Sequence, residues 1–101
     1  MASSKYEIVY TPKCLKKIER METIPPLNQA LESIYIRIYR NPYAFGVVPP
    51  LTTLRFAKAA YEQEGERSSL TVLFTINEED KLVTLVDASV THESGGFDLF
   101  E

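Results

Sequence analysis

The residues of this chain that could carry out proton transfer are few, and His92 is foremost among them. It is the only histidine, and it ends the stretch SSLTVLFTINEEDKLVTLVDASVTHE, which has the pattern of two strands joined by an acidic turn. Imidazole exchanges protons near neutral pH, so a histidine at this position could serve as a general acid or base. The alternative is a surface histidine at the point where a strand reaches solvent.

Three cations precede His92 and could bind phosphate: Arg55, Lys58 and Arg67. Together with His92 they are the residues that could act on a phosphate group. Arg55 and Lys58 are three residues apart, and a regular strand would place them on opposite faces, so only a bulge would bring both to one site. The alternative is that all three only lie in solvent, on an exposed strand face and in a turn. The glutamates next to them in sequence weaken any attraction for anions.

A second group of residues is a candidate for binding RNA or a partner protein. Its basic members lie on one predicted helix and its aromatic members could stack on bases: Lys13, Lys16, Lys17, Arg20, Tyr61, Phe97 and Phe100. A run of lysines at helical spacing is also typical of the solvent-facing side of an amphipathic helix. The tail that contains both phenylalanines, residues 94–101, could be a flexible terminus, or it could add a strand to a partner or bind in a groove of one.

Composition excludes several classes of protein. The chain has 101 residues with a net charge of −3, 45% hydrophobic residues and one cysteine, Cys14. One cysteine and one histidine cannot make a zinc cluster, so we expect no metal and no cofactor. The opening MASSKYEIVY lacks the apolar run of a signal peptide, and no segment approaches the roughly 20 apolar residues that span a bilayer. We expect a reduced, cytoplasmic setting without membrane contact.

The elements that position these residues follow from periodicity. Alternation predicts strands over residues 5–10, 54–63, 69–76 and 81–92, and apolar residues at helical spacing predict helices over 12–22 and 26–40. In the first helix the predicted apolar stripe is Leu15, Ile18 and Met21. In the second helix it is Leu27, Ala30, Leu31, Ile34 and Ile38, widened by Tyr35, Ile36 and Tyr39 towards a further neighbour. Residues 42–53, rich in proline, are predicted to be irregular and to lie on the core.

The predicted fold is α+β, with one domain over residues 1–101. Its order is β-α-α-β-β-β, and the two N-terminal helices pack on one face of a small, mainly antiparallel four-stranded sheet. The tight turns, one of them with Gly65 at positive φ, make the last three strands a meander, and the first strand should lie beside the last.

This order of elements resembles the RelE/ParE toxin superfamily of bacterial type II toxin–antitoxin systems, as a divergent member. The residues that carry the resemblance are YEIVYTPKCLKKIERM, ALESIYIRIYRNPYAFG and SLTVLFTINEEDKLVTLVDASVTHE, and they cover about the whole chain. The resemblance implies a RelE/ParE-like fold and a partner antitoxin that silences the protein. It also implies one of two activities.

The first implied activity is a ribosome-dependent mRNA endoribonuclease that inhibits translation, with the ribosome and mRNA as partners. Its reaction would be metal-free attack of a 2′-hydroxyl on the adjacent phosphate. Of the positions that the resemblance brings across, Arg55 and Lys58 lie on the strand that is basic in ribosome-dependent members, and His92 ends the last strand. Thr71 stands where the family carries arginine, and Arg67 lies just before it. Phe97 or Phe100 takes the place of a tyrosine of several relatives.

The second implied activity belongs to another class, a binding protein on the same fold. It would be a DNA gyrase inhibitor of the ParE type, or an inactive relative that acts by protein–protein contact. The acidic balance of the chain suits a protein partner better than free RNA.

Overall fold

Two helices and a mixed sheet make up the fold. The computed structural model describes residues 6–50 and 53–93, together with the backbone of Phe97–Asp98. In chain order the elements are β1 (Glu7–Tyr10), α1 (Pro12–Met21), α2 (Pro25–Arg40), a short 3-10 helix (Pro42–Ala44), β2 (Leu54–Gln63), β3 (Glu66–Asn77), β4 (Leu82–His92) and β5 (Phe97–Asp98). No helix among these residues is long and apolar enough to cross a membrane.

The strand order is β1-β4-β3-β2, and β5 pairs with β4. β2, β3 and β4 form an antiparallel meander, and β1 lies parallel to β4 across the two helices. The predicted α+β architecture, its β-α-α-β-β-β order and the place of the first strand are confirmed. β2 turns into β3 through Glu64 and Gly65, with φ of 54° and 81°, as the predicted glycine turn requires.

Both helices cover the same face of the sheet. From β3 and β4 the core receives alternating side chains, which are fully buried: Leu70, Val72, Phe74, Val83, Leu85, Ala88 and Val90. From α2 it receives the predicted stripe of Leu27, Ala30, Leu31, Ile34 and Ile38. Ile36 and Tyr39, which were expected to meet a further neighbour, are instead 54% and 50% exposed.

The buried face of α1 differs from the predicted one. Leu15 is 40% exposed, whereas Cys14 and Lys17 are buried with Ile18 and Met21. The cause is a rotation of the helix that brings Lys17 over β4, where its ammonium group contacts the carboxylate of Asp87. Periodicity of apolar residues could not indicate this rotation, because the residue that replaces Leu15 at the sheet is a charged one.

A bulge in β4 explains how α1 begins. The register between β3 and β4 shifts at Val86, which has no partner residue in β3. Thr11, the N-cap of α1, donates its backbone N–H to Leu85 O at 3.1 Å and its hydroxyl to Val86 O at 3.2 Å. The same hydroxyl accepts the N–H of Cys14 at 3.2 Å. One threonine therefore caps the helix and satisfies the carbonyls that the bulge exposes.

The segment after α2 lies against the core, as predicted. The ring of Phe45 packs edge-on against Phe74, with ring centroids 5.6 Å apart. Gly46 then passes Phe56 so closely that an added Cβ would lie 3.3 Å from its ring. Gly46 O accepts the N–H of Phe56, and this segment therefore lines the outer edge of β2.

Candidate functional site

A row of three polar side chains crosses one end of the sheet, and His92 is the member of the row that belongs to β4. The register places Tyr61, Ser68 and His92 beside one another on β2, β3 and β4. Ser68 Oγ lies 2.8 Å from Nδ1 of His92. Ser68 is only 5% exposed, and His92 is half-buried. A buried hydroxyl therefore fixes the ring of the single histidine.

This contact determines which nitrogen of His92 could do chemistry. Because Ser68 engages Nδ1, the nitrogen that would exchange a proton with a substrate is Nε2, on the other side of the ring. A serine hydroxyl both donates and accepts hydrogen bonds. It can therefore hold the ring whether Nδ1 carries a proton or not, which suits a histidine that alternates between base and acid.

Arg67 lies in the same concavity as His92. The concavity has a volume of about 140 Å³, and Ser68, Ser69, Thr91 and the aliphatic Ala60 also line it, with Glu93. Nε of Arg67 lies 3.9 Å from a carboxylate oxygen of Glu93, and both side chains are about two-thirds exposed, 68% and 69%. An exposed pair at this distance is weak, so an anionic ligand could take the place of Glu93.

The sequence interpretation placed Arg67 in a turn, and this was wrong. β3 begins at Glu66, and Arg67 is its second residue. The N–H of Glu93 donates to Arg67 O at 3.0 Å, which extends the pairing of β3 and β4 past His92. This hydrogen bond therefore fixes the backbone of Arg67 at the end of the sheet.

Lys58 lies near this concavity and Arg55 does not. Lys58 is exposed and pairs with Thr71, on the sheet face that the helices leave open. Ala60, which lines the concavity, is two residues further along the same face, about 7 Å away. Arg55 pairs with Phe74, six residues and about 20 Å along β2 from the row of His92. The two cations are on opposite faces, and no bulge in β2 unites them.

Arg55 instead supports the loop after α2. Its guanidinium donates to the carbonyl of Phe45 at 2.5 Å and lies over the ring of Tyr43, 5.3 Å from the ring centroid. These contacts join β2 to the segment that runs beside it. Arg55 therefore has a structural position, remote from His92.

The basic side of α1 is smaller than the sequence indicated. Lys13, Lys16 and Arg20 are exposed, but Lys17 is only 2% exposed. Its Nζ lies 2.6 Å from Oδ1 of Asp87, which follows the bulge of β4. Lys17 cannot contact RNA or a partner from this position, and three cations remain on the surface of the helix.

The aromatic candidates are placed unequally. Tyr61 is half-buried, packs against the core and belongs to the row of His92. The backbone of Phe97 pairs with Thr91, beside His92, as part of β5. Phe100 lies outside the described residues, as does most of the predicted tail.

Sequence reasoning missed Ser68, although a signal was present. Leu70, Val72 and Phe74 alternate on the buried face of β3, and Ser68 continues that alternation towards the N-terminus. A hydroxyl on a buried face requires a hydrogen-bond partner. The side chain opposite it on the next strand of the meander is His92.

The thiol and the acidic groups do not add a second chemical centre. Burial raises the pKa of the Cys14 thiol to about 11, assisted by the nearby charge of Asp87, so this thiol is not an activated nucleophile. In the described part of the chain, no group of three or more histidine, cysteine, aspartate or glutamate residues is placed to hold a metal ion.

Comparisons with known proteins found no match to this chain. No family model matched the chain, and no significant match was found among curated proteins or solved structures.

Proposed function

We propose that this protein is a toxin-like endoribonuclease of RelE/ParE type that cleaves mRNA by metal-free attack of a 2′-hydroxyl. The observation that carries the proposal is the meeting of His92, its buried partner Ser68 and the cation Arg67 at one solvent-open sheet end. The order and topology of the elements agree with that type of fold.

The reaction assigns one role to each side chain. The 2′-oxygen forms a bond to phosphorus while the bond from phosphorus to the 5′-oxygen breaks. Nε2 of His92 takes the proton of the 2′-hydroxyl and passes it to the departing 5′-oxygen. Arg67, at the same end of the sheet, steadies the charge of the phosphorane, whereas Lys58 lies on the sheet face opposite to His92 and takes no part. The products are a 2′,3′-cyclic phosphate and a 5′-hydroxyl.

The charges around the site favour RNA that is presented by the ribosome over free RNA. Glu62, Glu64, Glu66 and Glu93 surround the end of β2 and the start of β3, and they repel a bare phosphate backbone. Lys13, Lys16 and Arg20 lie exposed on α1 and could contact ribosomal RNA. This function implies a cytoplasmic protein with a cognate antitoxin as partner.

Primer extension on an mRNA in a translation extract tests the proposal, with the wild type, His92→Ala and Arg67→Gln. Glu79→Gln, in the exposed turn between β3 and β4, is the control. We expect cuts within codons that require ribosomes, that are lost in His92→Ala and that persist in Glu79→Gln. Absence of cuts at any concentration of folded wild-type protein would overturn the enzymatic function.

A second candidate is a protein that binds without cleaving. The observation that favours it is the position of Arg55, about 20 Å along β2 from the row of His92, because a cleavage site would benefit from cations that converge. In this case the protein would inhibit DNA gyrase or act on another protein. A gyrase supercoiling assay with the wild type and His92→Ala tests it, since both should inhibit equally.

A further inference from the structure

The solvent-facing side of α2 presents an apolar centre that no other part of the described chain covers. Ile36 lies at the middle of that side and is 54% exposed. Tyr39, one turn further, is 50% exposed, and Tyr43, in the 3-10 helix that follows α2, is 45% exposed. Large exposed side chains that are close together in the chain are typical of a contact surface. We call these three residues the α2 patch.

The charges beside Ile36 are arranged symmetrically and have opposite signs. Glu32 lies four residues before Ile36 and Arg40 four residues after it, and both are exposed. About 12 Å of helix separates them, so they cannot pair with each other. Within the described residues, neither side chain takes part in a hydrogen bond or an ion pair.

We propose that the α2 patch is the interface of a homodimer in which two copies of α2 pack antiparallel about a two-fold axis at Ile36. The axis places Ile36 against the same residue of the other copy. When the two helices cross along the row of residues 32, 36 and 40, each Glu32 faces the other copy's Arg40. The surface is thus complementary to itself, as a two-fold interface requires.

The occupant follows from this charge pattern. An acidic partner would be attracted by Arg40 and repelled by Glu32, and a basic partner the reverse. A second copy turned through 180° places a charge of opposite sign beside each of the two residues, so that both contacts are attractive. The interface is one helix side with its adjoining loop, which is small, so we expect a dimer that dissociates on dilution.

The dimer goes beyond the proposed function and does not depend on it. Tyr43 donates its hydroxyl to Glu78 at 2.8 Å, in the turn that joins β3 to β4. That turn is at the opposite end of the sheet from His92, because β4 runs from Leu82 to His92. Dimerisation through the α2 patch therefore leaves the concavity at His92 open.

Sedimentation equilibrium over a wide concentration range tests the proposal with four proteins and one control. They are the wild type, Glu32→Arg, Arg40→Glu and the double variant that exchanges both charges. Glu19→Arg, an exposed position on α1 with the same change of charge, is the control. Circular dichroism shows which variants are folded.

We expect a concentration-dependent dimer for the wild type and for Glu19→Arg. Each single exchange should weaken association at least tenfold, since it places two equal charges opposite each other twice. The double variant should restore it, because the pairs re-form with reversed signs. A wild type that stays monomeric throughout would overturn the proposal. So would a dimer that the single exchanges leave unchanged, or that the double exchange fails to restore.

Discussion

The ammonium group of Lys17 and the carboxylate of Asp87 join the buried side of α1 to the bulged part of β4, with Nζ 2.6 Å from Oδ1. The two partners are unequal, because the side chain of Lys17 is 3% exposed and that of Asp87 is 39% exposed. Oδ1 also accepts the N–H of Ala88 at 2.9 Å. The pair therefore fixes the helix and the strand at the place where the sheet ladder is interrupted.

This inequality predicts that the two halves of the pair differ in their contribution to stability. Asp87→Asn leaves a buried ammonium without a counter-ion, and we expect it to lower the free energy of unfolding by about 2–3 kcal/mol, less than for a fully enclosed pair. Lys17→Met leaves a carboxylate that water can reach and fills the space of the lysine stem. We expect that change to cost less than about 1 kcal/mol.

Urea denaturation measures both free energies, with Glu19→Gln as a control at an exposed position of the same helix. Equal losses for the two variants would contradict the unequal burial of the partners. A larger loss for Lys17→Met would reverse the assignment of the buried charge.

The same pair predicts a pH dependence. Burial acts to raise the pKa of Asp87, but the hydrogen bonds from Lys17 and the Ala88 N–H outweigh it and hold this pKa below its ordinary value of 3.8. The unfolded chain therefore binds the proton first as the pH falls. The stability that the carboxylate contributes is fully present above about pH 4 and is lost as the pH drops through the lowered pKa.

Measuring the free energy of unfolding of the wild type and of Asp87→Asn between pH 7 and pH 2 checks this dependence. The difference between them should be constant near neutral pH and should shrink below about pH 4. The pKa of Glu78 is lowered by hydrogen bonds from Lys81, Tyr6 and Tyr43 in both proteins. Its contribution to the free energy of unfolding therefore cancels in the difference. A difference that grows in acid would contradict the prediction.

Much of the fold could be predicted because its patterns are local. The stripe of α2 and the alternation of β3 follow from residues that are near one another in sequence, and Gly65 adopts the positive φ that its turn needs. The face of α1 could not be predicted in this way. Its orientation depends on Asp87, which is 70 residues away in the bulged part of β4.

The candidate site shows the same limit. The place of His92 at a strand end follows from the strand pattern. Its contact with Ser68 and its distance from Arg55 depend on which residues of β2, β3 and β4 lie side by side. That register is fixed by the turns and by the bulge together, so spacing along one strand cannot give it.

The contact between Ser68 and His92 predicts that the serine acts by positioning the ring. Ser68→Ala removes the hydroxyl that contacts Nδ1, and we expect cleavage to fall about tenfold, less than the roughly 100-fold or greater loss expected for His92→Ala. Ser68→Thr, which retains a hydroxyl, should recover part of the activity.

Two readouts separate positioning from a general loss of structure. The first is the partial recovery of the rate in Ser68→Thr, which a general loss of structure would not give. The second is the midpoint of urea denaturation, which shows whether Ser68→Ala is folded under the assay conditions. Ser89→Ala, a half-buried serine on the open face of β4, should leave both the rate and the midpoint unchanged. A Ser68→Ala protein with the wild-type rate would show that His92 needs no support.

The positions of Arg55 and Arg67 predict opposite effects of replacing two arginines. Arg55→Gln removes the hydrogen bond to Phe45 O and the contact with the ring of Tyr43, so we expect a loss of about 1–2 kcal/mol in the free energy of unfolding. Cleavage per folded molecule should stay constant. Arg67→Gln should leave stability within about 0.5 kcal/mol, because its pair with Glu93 is exposed, and should reduce cleavage at least tenfold.

Arg67→Lys is the matched variant for the second arginine, since it keeps the charge but not the planar group, and it should fall between the wild type and Arg67→Gln. Urea denaturation and primer extension on the same preparations give both quantities for every variant. If Arg55→Gln abolished cleavage while the protein stayed folded, the active site would extend along β2 to the opposite end of the sheet, and the concavity beside His92 would not be sufficient for the reaction.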